Sequence, residues 1–299
     1  MHLRTPPRDP IEEDAVSFAP PGRPARAHAR LRSWGARGMP VVVLLALSFG
    51  GSQPAPMTPP SGTWVITRVN AELLEALSPT VAAAFFDGPG TIALGGYRGA
   101  IPAMGWASLA AFEADVEAGL VPDEVRIVMY DPEAWEHTPI AEQLDPARAM
   151  AEFAELAWSQ GYQVLMTPHP NLVTVPGAAC LKLADESVTA AFLRCRLPAA
   201  AAQSADVLDL QLQDLQRDPE RYREAVTQAG EQARQANPSV QVLAHLTTRT
   251  APDPTVLYSA WRSVQPVVDG CYVGVPAGVR ARVAIGFLRM IAIGSDRRR

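Results

Sequence analysis

From residue 63 onward the chain repeats one grammar: a short β-branched or apolar run, a polar or Gly/Pro break, then a stretch with helical spacing. Eight runs read as strands: TWVITRVN (63–70), TIALGGY (91–97), VRIVMYD (125–131), YQVLMTP (162–168), DVLDLQLQ (206–213), VQVLAHLTT (240–248), GCYVGV (270–275) and VAIGFLRMI (283–291). Two of the intervening stretches carry explicit helix starts. Asp145-Pro146 and Asp218-Pro219 each set a side-chain acceptor before a proline, whose missing N–H costs nothing at the first helical position. After the first, Met150, Phe153, Ala154 and Ala157 form an apolar stripe, and Gly161 stands where a C-cap belongs. After the second, Tyr222, Ala225, Val226, Ala229 and Ala233 do the same before Asn237-Pro238 ends the pattern. Strands that alternate with helices pair in parallel through right-handed crossovers. Eight units in roughly 240 residues match the size of a closed barrel. The expected fold is therefore α/β, a single TIM-like (β/α)8 barrel over residues 61–299. The stretch from residue 275 to 283 is too short for a regular helix, which puts the expected irregularity in the last unit. A doubly wound open sheet is the alternative, but no GxGxxG or Walker-type loop follows the first strand to support a nucleotide site.

Residues 1–60 read differently. The stretch to residue 37 is rich in Pro, Arg and Ala, shows no hydrophobic periodicity and is expected to be disordered. It leads through Arg30, Arg32 and Arg37 to the apolar run MPVVVLLALSF (39–49) and then to Gly50, Gly51, Ser52 and Pro54. Basic, apolar and small segments in that order describe a signal peptide. The run of about 11 residues falls short of the ~20 that span a bilayer, so export with cleavage is expected, a membrane anchor is the alternative, and the mature domain is not expected to insert stably in a membrane. A buried strand of a cytosolic protein is the bland reading of the same run. These first 60 residues hold 7 Arg against 4 acidic residues, leaving 19 basic against 27 acidic in the folded part. An acidic domain without a basic stripe excludes nucleic acid as the expected partner. Of the three cysteines, Cys180 and Cys195 flank a short stretch; in an oxidising compartment they would close a loop of about 15 residues worth roughly 3 kcal/mol. Three buried free thiols are the competing reading.

In a barrel, chemistry collects at the C-terminal ends of strands, where alternate residues point inward. In VRIVMYD and the residues after it, Ile127, Met129, Asp131 and Glu133 share one face, so an apolar interior ends in two carboxylates within the motif YDPEAW. Carboxylates at such a mouth can protonate a leaving oxygen, activate water or hold a cation; an Asp-Pro turn is the bland alternative. In DVLDLQLQ, leucines 208, 210 and 212 fit the helix-facing side, which turns Asp209, Gln211 and Gln213 into the barrel. Buried amides need partners, and ligand hydroxyls or internal water would supply them. His245, with Thr247, falls on the inward face of its strand, and His169 follows another strand in TPHPN. Their spacing, with His137, matches no HxH or HExxH pattern, so hydrogen-bonding histidines are expected and no metal or cofactor. Trp135, Tyr130 and Tyr97 are candidates to stack on sugar rings, Arg68 and Arg98 to meet an acidic group.

The stretch YDPEAWEHTPIAEQ (130–143), with LMTPHPNL, the DLQLQ strand and QARQANPSVQVLAHLTT, resembles a group of exported, largely uncharacterised actinobacterial proteins similar to glycoside-hydrolase-type TIM barrels. The resemblance covers most of residues 63–291 and implies a sugar-directed barrel, in which Asp131 and Glu133 belong to the acidic motif and Gln211 and Gln213 to the polar strand. The leading expectation is a secreted glycoside-hydrolase-like protein acting on a carbohydrate or other small polar ligand. Glu133 would be its general acid/base, and Asp131 would orient it or serve as the second carboxylate. Two residues apart on one strand, their Cα atoms lie about 6 to 7 Å apart, which fits either stereochemical course. A non-catalytic carbohydrate-binding barrel and a metal-dependent hydrolase using Asp131, Glu133, His169 and His245 are the alternatives.

Overall fold

Inward alternation, read above from period two, is what the computed structural model of the protein displays, and it describes residues 62–296. Eight parallel strands close in chain order: β1 (Thr63–Thr67), β2 (Thr91–Leu94), β3 (Ile101–Trp106), β4 (Ile127–Tyr130), β5 (Gln163–Met166), β6 (Val207–Leu210), β7 (Gln241–Thr247) and β8 (Gly270–Gly274), with β8 returning to β1. Around them run α1 (Arg68–Leu77), α2 (Pro79–Phe86), α3 (Leu109–Glu117), α4 (Ile140–Leu144), α5 (Pro146–Ser159), α6 (Val188–Arg194), α7 (Leu197–Gln203), α8 (Pro219–Ala236), α9 (Pro254–Val264) and α10 (Ala281–Asp296). The fold is a TIM-type barrel. The expected disordered and signal-like segment, residues 1–60, lies outside the described residues. Among the described residues, no helix is long and apolar enough to cross a membrane.

The strand count of eight is right, but two of its members change places. VAIGFLRMI is not a strand; it lies within α10, where Ala284, Ile285, Phe287, Leu288, Ile291 and Ala292 are buried at helical spacing. Its β-branched content drew the wrong reading, and the spacing of three and four decides the matter. The strand left unread is β3, IPAMGW, which holds a proline and a glycine and follows β2 after only six residues with no helix between them. Gly95, Gly96 and Arg98, all at positive φ, reverse the chain in that short link. The irregular unit is therefore the second, not the last, in which the helix α10 follows β8.

Helix starts follow the local chemistry. Asp145 and Asp218 accept hydrogen bonds from the backbone of Arg148 and Arg221 at 3.3 and 3.2 Å, each ahead of a proline. The apolar stripes of α5 and α8 are buried as their spacing requires. Two cores result. One fills the layer between barrel and helices with Trp64, Ile66, Tyr130, Phe153, Leu208 and Phe287 among others. The other lines the barrel with Val65, Ile92, Ala103, Ile127, Met129, Leu165, Val207 and Leu243. Closure depends on one glycine: a Cβ on Gly270 would stand 1.9 Å from the carbonyl oxygen of Thr63, its partner across the β8–β1 seam. Cys180 and Cys195 form a disulfide, and Cys271 is free and buried.

Candidate active site at the barrel mouth

The interior turns polar at the carboxyl ends of β4 to β7, because inward alternation continues one residue past the strands. Asp131 N–H donates to the Trp106 carbonyl at 2.9 Å and Thr167 N–H to that of Tyr130 at 3.0 Å, which extends the ladder and keeps both side chains inward above Met129 and Leu165. Thr167 Oγ1 donates to Asp131 Oδ1 at 2.5 Å, and Gln211 Nε2 donates to the same oxygen at 2.7 Å and to the Thr167 carbonyl at 2.7 Å. Three strands thus meet on one carboxyl oxygen. Asp131 is half-buried, and desolvation raises its carboxyl to about 6; the Asp209 carboxylate adds to the rise, while Thr167, His245 and Gln211 oppose it without cancelling it.

A second pair sits beside the first. Asp209, fully buried in β6, places Oδ2 2.8 Å from His245 Nδ1 in β7, and the imidazole stacks on Tyr272 of β8 at 4.4 Å and 12°. Burial pushes the Tyr272 hydroxyl far up, with Asp209 and Asp131 adding to it, so the phenol stays neutral. Among the inward residues named here, none is Lys or Arg.

The other candidates lie apart from this interior network or on its rim. Glu133 sits in the loop after β4, where its N–H donates to Thr138 Oγ1 at 3.2 Å. Trp135 donates from Nε1 to the same hydroxyl at 2.9 Å and stands edge-on to His137. His169 caps the turn Pro170–Thr174, accepting from Asn171 N–H at Nδ1, and its own N–H donates to the Pro132 carbonyl. Gln213 begins a short turn after β6 and is buried with Oε1 lacking a hydrogen-bond partner. Tyr97 packs into the layer between barrel and helices and donates to Glu75 Oε2 at 2.8 Å. Arg68 pairs with Glu72, and Arg98 with Glu75 and Asp87.

Much of YDPEAWEHTPIAEQ is structural. Buried Glu142 accepts from Ser108 Oγ, the N–H groups of Leu109 and Ala110, and Tyr130 OH, at 3.2, 2.9, 3.3 and 2.7 Å, so it ties α4 to the start of α3 and to β4. Gln143 Nε2 donates to the carbonyls of Trp135 and Thr138 at 2.7 and 2.5 Å. Thr167 and Tyr272 carry no mark in the sequence beyond their parity, Thr167 with Leu165 and Tyr272 with the inward face of GCYVGV. Among the described residues, no three His, Cys, Asp or Glu side chains are grouped to hold a metal ion, so Asp131, Glu133, His169 and His245 do not form the ligand set that a metal-dependent hydrolase needs. An open hollow of about 300 Å³ lies at the opposite end of the barrel, lined by Glu231, Arg234 and Asp269 among others. Its arginine and aspartate pair with each other at 2.9 Å, and it shares no residue with the mouth.

No family model and no curated protein sequence matches the chain. Among solved structures it is similar to triosephosphate isomerase of Bartonella henselae, with a TM-score of 0.44 and 11% identity over 78% of this chain and 98% of that one. It is also similar to orotidine 5'-monophosphate decarboxylase of Metallosphaera sedula, with a TM-score of 0.37 and 10% identity over 78% and 100%. Likenesses of this degree concern the barrel alone.

Proposed function

We propose that the chain is a secreted, glycoside-hydrolase-like enzyme that acts on an uncharged carbohydrate, with Asp131 as the acid that protonates the leaving oxygen. The observation that carries the reading is the placement of Asp131 at the barrel mouth, its Oδ1 held by Thr167 after β5 and Gln211 after β6, where burial raises the carboxyl to about 6. A general acid works best when its pKa lies near the working pH. Because Thr167 and Gln211 both donate to Oδ1, the proton of the neutral acid resides on Oδ2. Of the two carboxylates in YDPEAW, Asp131 has the stronger case for the acid, and Glu133 lies in the loop that follows β4. The inward residues named above include acids, amides and an imidazole but no Lys or Arg, which favours a neutral sugar over a phosphorylated or acidic one. The resemblance to exported sugar-directed barrels supports the substrate class, and the Cys180–Cys195 disulfide suits an oxidising compartment.

The test is a panel of chromogenic aryl glycosides and neutral polysaccharides, assayed with the wild-type protein and with Asp131→Asn. Turnover of a member of the panel, lost about 10²- to 10⁴-fold in the variant, is the expected result. Binding of a glycan without turnover would favour the carbohydrate-binding barrel, and full turnover by Asp131→Asn would remove Asp131 from the chemistry.

A further inference from the structure

The acid assigned to Asp131 leaves His245 unexplained, and the surroundings of this residue are organised around one ring nitrogen. A carboxylate only accepts, so in the neutral imidazole the 2.8 Å contact with Asp209 Oδ2 selects the tautomer with the hydrogen on Nδ1 and the lone pair on Nε2. Tyr272 lies flat against the ring, and Tyr222 OH donates to the His245 carbonyl at 2.7 Å, fixing the strand beneath it. Beside Nε2 the chain has a glycine: a Cβ on Gly274 would stand 3.1 Å from that nitrogen and 3.5 Å from Thr247 Oγ1. The His245 side chain is 14% exposed and that of Asp209 0%, so the ring is reachable from the mouth and the carboxylate is not. Asp209 Oδ1 is buried with no hydrogen-bond partner. A buried carboxylate left half-satisfied destabilises the fold, and a positive charge on its one partner relieves that cost. Packing alone calls for neither the orphaned oxygen nor the space beside Nε2.

We infer that His245 is the general base of the hydrolysis proposed above, and that Asp209 is its positioning residue; the inference rests on that reading. A water held beside Nε2 attacks the anomeric carbon. Its O–H bond breaks with the proton passing to Nε2 as the new C–O bond forms. The bond from the anomeric carbon to the leaving oxygen breaks, its electron pair stays on that oxygen, and Asp131 supplies the proton. Asp209 stabilises the imidazolium that results, and after product leaves His245 gives up its extra proton to solvent while Asp131 takes one back.

Diethyl pyrocarbonate, which acylates unprotonated imidazole nitrogen, tests this on the full chain with peptide mapping to separate His245 from the other four histidines. Labelling of His245 in step with loss of aryl-glycoside turnover is expected, and Gly274→Ala should slow that labelling by occupying the space beside Nε2. His245→Gln should lower kcat about 10²- to 10⁴-fold with little change in KM, while Asp209→Asn should lower it in part and reduce the labelling rate of His245 at a melting temperature no lower than that of wild type. A His245 that resists labelling in the folded chain, or turnover that survives in His245→Gln, overturns the inference. Turnover that survives in Asp131→Asn while His245 remains essential overturns only the acid assignment, and a panel with no turnover at all overturns the reading beneath both.

Discussion

Asp131 is raised by burial, so folding favours its protonated form. The native chain therefore holds more protons on this group than the unfolded chain between about pH 4 and about pH 6. Stability from this residue is fully present below about pH 4 and is lost as pH rises through about 6. Asp131→Asn keeps an oxygen that accepts from Thr167 and Gln211 but carries no charge to desolvate. It should be more stable than wild type at pH 7 by about 1 kcal/mol, allowing for partial exposure, and the difference should vanish near pH 4 in thermal unfolding measured at both values. A variant less stable than wild type at pH 7 would show that the carboxylate is a structural anion. Asp131, Asp209, Gln211 and His245 were legible in the sequence because a polar residue at an inward position of an apolar strand is conspicuous. Thr167 and Tyr272 were not, since threonine and tyrosine are ordinary strand residues and nothing in their neighbourhood marks them. Tyr97 and Trp135 were conspicuous for their rings, yet their polar atoms are committed to Glu75 and Thr138.

At the level of elements, the acidic motif combines two tasks: its first part delivers Asp131 to the mouth, and its last part binds the start of α3. Glu142→Ala would leave Tyr130 OH and two helix-start N–H groups without their buried acceptor. The expected loss is about 2 to 4 kcal/mol in denaturant unfolding, against less than about 0.5 kcal/mol for exposed Glu136→Ala. Equal effects would mean that the carboxylate of Glu142 stabilises nothing. The disulfide closes a 15-residue separation next to the turn and loop that follow β5. Its reduction should cost about 3 kcal/mol if loop entropy governs, and an unchanged melting temperature in reductant would contradict that. The helices with proline starts could be read from their caps and stripes. Strand β3 could not, because Pro102 and Gly105 break the strand signal and no helix announces the crossover; α10 was misread because short apolar runs satisfy both periods until the pattern is followed over several turns.

Taken as a whole, the barrel divides its interior by polarity: apolar side chains fill the layers below, and acids, amides and an imidazole occupy the end where the strand-to-helix loops emerge. That placement could be anticipated from alternation and topology together, since parallel strands set all their carboxyl ends on one rim. The pairings within the rim could not, because they depend on register across strands that lie 36 to 80 residues apart in sequence. If the protein is exported as proposed, material from the medium should begin between residues 50 and 61 by N-terminal sequencing, whereas an intact terminus in cytosolic protein would contradict export. The account stands on Asp131 acting as an acid at the mouth, and the pH dependence of kcat/KM on a hydrolysed aryl glycoside reaches that claim directly. With wild type, kcat/KM should fall as pH rises through about 6, the value to which burial raises the carboxyl in the free protein, and in Asp131→Asn that falling limb should disappear along with most of the activity. A wild-type profile with no falling limb near that pH, or an Asp131→Asn protein that retains both the limb and the rate, would contradict the account.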